Sequence, residues 1–97
     1  SVWIGGSILA SLSTFQQTTP PLLAKLRDTL AAGERRAFGL HAHSAKGAGL
    51  MVSAERYAAI AAALEEQAPR AATKDLERML DDLQRAYAEF VALVGGQ

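Results

Sequence analysis

His43 and Lys46 stand three residues apart in the run His43-Ser44-Ala45-Lys46-Gly47-Ala48-Gly49. On a helix that spacing brings an imidazole and an ammonium to neighbouring sites. Imidazole is largely neutral near pH 7, so one ring nitrogen is available as a nucleophile. A phosphoryl group on that ring would add negative charge and acceptor oxygens, which a lysine one turn away is suited to stabilise. Most surface lysines are simply solvated, so the pair alone decides nothing.

Projection of the segment onto a helix sorts its residues. With Ala45 at zero and about 100° per residue, Phe38, Ala42, Gly49 and Val52 fall within about 60° and form the core-facing side. His43 lands near 160°, almost opposite. Gly39, Leu50, Arg36 and Gly47 lie around it at about 120°, 140°, 180° and 200°, with Lys46 near 100°. The histidine is thus predicted to project outward. Glycine inside a helix costs about 0.5–1 kcal/mol relative to alanine. Gly49 faces the core, where a neighbouring helix would approach closely. Gly39 and Gly47 have no such explanation, but one turn to either side of His43 they would clear space for a bulky partner. Leu50 and Leu40 add apolar surface on the same side. His41 projects near −40° on the same scale, at the core edge, where a structural histidine is the ordinary finding. The two histidines point to opposite sides of the helix, so they do not make a metal pair.

A long, stiff helix over residues 34–52 must therefore hold His43, and the rest of the chain reads as helical support. Alanine and leucine dominate and strand patterns are nearly absent. The spacing predicts a short first helix over 8–17 on Leu9, Leu12 and Phe15. Thr19-Pro20-Pro21 reads as a restart, with threonine as the cap and proline in the first turn. Leu22, Leu23, Leu26 and Leu30 carry the second helix to Gly33. After the histidine helix, Ser53 reads as the cap of a fourth, whose stripe is Tyr57, Ile60, Ala61 and Leu64 and whose end is Pro69. A fifth runs from Thr73 to about Val94 on Leu76, Leu80, Leu83, Tyr87, Phe90 and Val94, closed by Gly95-Gly96. Asp81 with Arg85, and Arg85 with Glu89, are spaced for pairs along that helix.

The chain has 97 residues, of which 49% are hydrophobic, enough for one packed domain and too few for two. Ten basic and ten acidic residues cancel, so there is no electrostatic case for nucleic acid or an anionic membrane. Cysteine is absent, which removes disulfides, thiol nucleophiles and cysteine metal sites. The opening SVWIGGSILA lacks the basic start of a signal peptide and the length of a membrane span. No glycine-rich nucleotide loop and no paired acidic cluster is present. The absence of an initial methionine leads us to expect a segment of a longer protein.

The segment from His43 to Gly49 resembles the H-x-x-K-G signature of histidine-containing phosphotransfer (HPt) domains. Phe15 with Leu22, Leu23, Leu26 and Leu30 resembles the family's second helix, and Ala32-Gly33-Glu34 its turn before the histidine. Ala54, Ile60 and Leu64-Glu65 resemble its next helix, so the likeness covers roughly Leu12 to Val94. Ser53 departs from a commoner glycine and Tyr57 from a commoner leucine.

The resemblance implies an all-α, antiparallel four-helix bundle with a short additional N-terminal helix. It forms a single domain over 1–97, with 1–7 as linker and the bundle at about 8–94. It implies that His43 takes a phosphoryl group from a receiver-domain aspartyl phosphate and passes it to another response-regulator aspartate. Lys46 would steady the phosphoryl charge, while Gly39, Gly47, Leu50 and Arg36 would meet the receiver, with Leu9 and Leu12 as further docking candidates. Such a carrier has no ATP site, is not an enzyme on its own and holds no cofactor; the receiver brings Mg²⁺. The expected partners are response-regulator receiver domains and, in a hybrid chain, a membrane-anchored sensor kinase whose cytoplasmic C-terminal module it would be. The same resemblance implies a monomer without nucleic-acid or membrane contact. The alternative from the residues alone is a helical interaction module that uses this face without phosphotransfer.

Overall fold

The computed structural model describes the backbone of residues 2–95 and the side chains of residues 12–94. Four helices follow one another: α1 (Val2–Ala31), α2 (Arg35–Met51), α3 (Glu55–Gln67) and α4 (Thr73–Gly95). α2 packs between α1 and α3, and α4 closes the ring by packing on α3 and α1. The short connections make successive helices antiparallel. The all-α bundle expected from the sequence is therefore present, and no strand occurs among the described residues.

The separate first helix is not. α1 runs without interruption from Val2, inside the segment expected to be linker, through Pro20 and Pro21 to Ala31. Proline in a helix interior removes an N–H and costs about 3 kcal/mol, so a break was the natural expectation. Two features offset it. Phe15, Thr19, Leu23, Leu26 and Leu30 are all buried in one stripe, with spacings of three and four that stay on one face only if the helix is continuous. Pro20 leaves the Gln16 carbonyl without its intrahelical partner, and the Tyr87 hydroxyl of α4 donates to that oxygen at 3.3 Å. Thr19 is accordingly a buried mid-helix residue rather than a cap. The Leu9 side chain lies outside the described residues, and Leu12 is half-buried.

The turns on either side of α2 are built alike. After α1, Gly33 has φ +75°, with Gly33 N–H donating to Leu30 O (3.1 Å) and Glu34 N–H to Thr29 O (2.9 Å). After α2, Ser53 has φ +60°, with Ser53 N–H donating to Leu50 O (3.2 Å) and Ala54 N–H to Gly49 O (2.9 Å). Both are Schellman endings, which want glycine at the left-handed position. Ser53 thus terminates α2 instead of capping α3, whose N-cap is Ala54 without a side-chain bond. Its left-handed backbone explains why glycine would suit that site better.

The core draws on every helix: Phe15, Leu26, Phe38, Ala42, Ala45, Tyr57, Ala61, Leu64, Leu76, Leu80 and Leu83 are buried. Burying each large apolar side chain contributes about 1.5–3 kcal/mol. Phe15 packs edge-on against Tyr57, Tyr87 and Phe90, with centroids 5.1, 5.5 and 5.4 Å away, an arrangement that adds to simple burial. The Tyr57 and Thr19 hydroxyls are buried without a well-formed hydrogen bond. Burial pushes the Tyr57 phenol up to about 12, against a small opposing effect of Thr19.

Asp81 and Glu89 of α4 pair across the bundle rather than along the helix. Asp81 meets Arg27 of α1 at 2.9 Å and Glu89 meets Arg56 of α3 at 3.0 Å. Arg85 has only a 3.9 Å contact with Asp82, not the expected partners Asp81 and Glu89. All these pairs are exposed, so each contributes little to stability.

Candidate functional site

α2 turns the face of His43 outward because Phe38, Ala42, Ala45 and Gly49 anchor the opposite face in the core. The projection from sequence is met on this point: the His43 side chain is 64% exposed. Leu40 and Leu50 are 65% and 62% exposed on the same outer side, and Arg36 is exposed as well. His41 is half-buried, as expected at the core edge.

The three glycines of α2 separate clearly. A Cβ on Gly47 would meet nothing within 4 Å, so the space at this position is open. One on Gly49 would come 2.7 Å from Tyr57 Cδ1 and 3.2 Å from the backbone nitrogen of Ala58. There the absence of a side chain lets α3 pack close. Gly39, expected to be clear of neighbours, is half-buried, and a Cβ there would lie 3.5 Å from Ala68 Cβ. It tolerates ordinary contact with α3 and is only in part an open flank of His43.

Arg35 anchors this end of α2. Its guanidinium donates to the carbonyls of Ala68 (2.9 Å) and Ala71 (2.7 Å) and to Thr73 Oγ1 (3.1 Å). That ties the start of α2 to the α3–α4 connection and leaves neighbouring Arg36 free at the surface.

One residue of the site was not singled out as functional from sequence. Glu65, on α3, accepts a hydrogen bond from His43 Nδ1 at 2.8 Å through one carboxylate oxygen. Its other oxygen takes the Lys46 ammonium at 3.0 Å. A carboxylate can only accept, so the proton of the neutral ring sits on Nδ1 and the lone pair on Nε2. Lys46 is the main reason that the Glu65 carboxyl is held below its ordinary range; desolvation opposes this and His43 adds to it. The signal that finds Glu65 is topological. In an antiparallel α2–α3 hairpin turning at Ala54, His43 and Glu65 are equally far from the turn along the chain.

The site is a projecting ring, not a cavity. A groove of about 630 Å³ between α1 and α4, lined by Pro20, Leu23, Tyr87 and Val91 among others, contains neither His43 nor Glu65. Among the described residues, no group of three or more His, Asp and Glu could hold a metal ion, and no helix is long and apolar enough to cross a membrane.

The family model described as the Hpt domain matches residues 10–92, nearly all of the bundle. No curated protein and no solved structure matches. A match over that span, on an all-α bundle with an outward histidine, shows that the chain belongs to the Hpt domain family, the histidine phosphoryl carriers of two-component signalling.

Proposed function

We propose that His43 is the phosphoryl-carrying residue and that the domain relays the group between receiver domains. Nε2 attacks the phosphorus of a receiver's aspartyl phosphate, the P–O bond to the aspartate breaks, and its carboxylate leaves with the electron pair. The N–P bond so formed is later broken by the aspartate of a second receiver. The domain contributes no ATP site; the receiver supplies the Mg²⁺ that neutralises the moving charge.

The observation that carries this reading is the engagement of Nδ1 by Glu65 at 2.8 Å, which fixes the tautomer and leaves Nε2 as the nucleophile. Lys46, with a side chain 32% exposed, can turn from Glu65 to the incoming phosphoryl oxygens. Phosphoryl transfer relies mostly on positioning and charge stabilisation, and a ring held by two helices supplies the positioning. Leu40, Leu50 and Arg36, exposed around His43 with Gly47 leaving room between them, form the surface that meets the receiver. The domain acts as a monomer on the cytoplasmic side, free-standing or within a hybrid kinase.

Incubation with a ³²P-labelled phosphorylated receiver and Mg²⁺ tests the reading. Label that is acid-labile and alkali-stable should appear on the wild type, persist in His41→Gln and vanish in His43→Gln. Label retained by His43→Gln overturns the assignment. A receiver that binds without transferring label would favour the interaction-module alternative.

A further inference from the structure

The carboxylate of Glu65 raises a question that orienting the ring does not answer, since a neutral amide would orient it equally well. A charged group beside a ring that will carry a phosphoryl dianion adds repulsion, and this carboxylate also occupies Lys46, the cation placed to relieve it. We propose that Glu65 is a positioning residue for the donation step: its charge keeps the Nδ1 proton on the phosphorylated ring, so that the ring departs from phosphorus as neutral imidazole. The proposal rests on the reading of His43 as the carrier.

The chemistry of donation gives the reason. The Nε2–P bond breaks, its electron pair returns to Nε2, and an aspartate oxygen of the receiver bonds to phosphorus. With the proton on Nδ1, the departing group is neutral imidazole. Without it, the departing group is imidazolate, a far stronger base and a far poorer leaving group. Glu65 Oε2 lies 2.8 Å from Nδ1, and an opposite charge at that range favours the protonated ring.

The charged group that meets this ring is Glu65 from α3, and Lys46 from α2 meets the other oxygen of the same carboxylate. Arg36 is exposed about two turns earlier on α2, and Glu66 is exposed next to Glu65. On α1, Arg27 is engaged with Asp81 of α4. Lys46 therefore opposes Glu65 directly. It draws on the same carboxylate and is itself positive. The site becomes a carrier poised to release its load: Glu65 favours the leaving group and repels the dianion, while Lys46 moderates both.

The test uses the full chain loaded with phosphoramidate and mixed with a receiver domain and Mg²⁺ across pH 6 to 10. Loss of label from the domain is followed as a rate. Wild-type donation should hold to a higher pH than that of Glu65→Gln, whose alkaline fall should begin about one pH unit lower. Glutamine keeps an acceptor for Nδ1, so this variant removes the charge and leaves the hydrogen bond. Lys46→Met should move the fall the other way, to higher pH. Coincident profiles for wild type and Glu65→Gln, or a fall at higher pH in Glu65→Gln, overturn the proposal while leaving His43 as carrier. Failure of the wild type to take label on His43 overturns both.

Discussion

The two faces of α2 use the same residue for opposite ends. Gly49 and Gly47 are separated by a single residue, yet a Cβ on the first would collide with Tyr57 and the Ala58 backbone, whereas one on the second would meet only solvent. On the inner face, glycine lets α3 come close enough to place Glu65 against His43. On the outer face, glycine keeps the space beside His43 empty. A helix designed for stability alone would put alanine at position 47 and gain about 0.5–1 kcal/mol. That gain is forgone on the face where His43 stands. The inner face sets the geometry, and the outer face keeps it accessible.

Substitutions at the two glycines should therefore fail in different ways. Gly49→Val forces side-chain volume against a backbone atom, and should lower unfolding stability by about 2–3 kcal/mol in urea titration. A variant as stable as wild type would show that the close approach of α3 is not required. Gly47→Leu should leave stability unchanged or raised by less than about 1 kcal/mol. It should also slow transfer from a phosphorylated receiver about tenfold by misplacing the partner. An unchanged transfer rate would remove the clearance argument, and a large loss of stability would show that position 47 is not on an open face.

What could be read before the structure follows from what is local to a helix. The outward aim of His43, the inward aim of Gly49 and the edge position of His41 depend only on helical periodicity and hold as expected. The errors came where a distant group overrides a local rule. Pro20 and Pro21 look like a helix start, but the buried stripe of Phe15, Thr19 and Leu23 and the Tyr87 hydroxyl on Gln16 keep the helix intact. Ser53 looks like a cap, but the ending of α2 requires a left-handed residue there. Asp81 and Glu89 have good partners on their own helix and choose Arg27 and Arg56 on neighbouring ones.

Glu65 belongs to the same class of omission. Its place beside His43 arises from packing α3 against α2, and neither its type nor its neighbours in the chain announce it. Once the α2–α3 hairpin is drawn with its turn at Ala54, the residue opposite His43 can be named. Gly39 departs from expectation for a related reason: its exposure depends on where Ala68 follows α3, not on the phase of α2.

The most direct test of the central claim is where phosphorus becomes attached. In the ¹⁵N-labelled domain phosphorylated by a receiver, the ring-nitrogen resonances of His43 should show phosphorus on Nε2, with Nδ1 still protonated at neutral pH. Phosphorus on Nδ1, on His41 or on neither histidine would contradict the account.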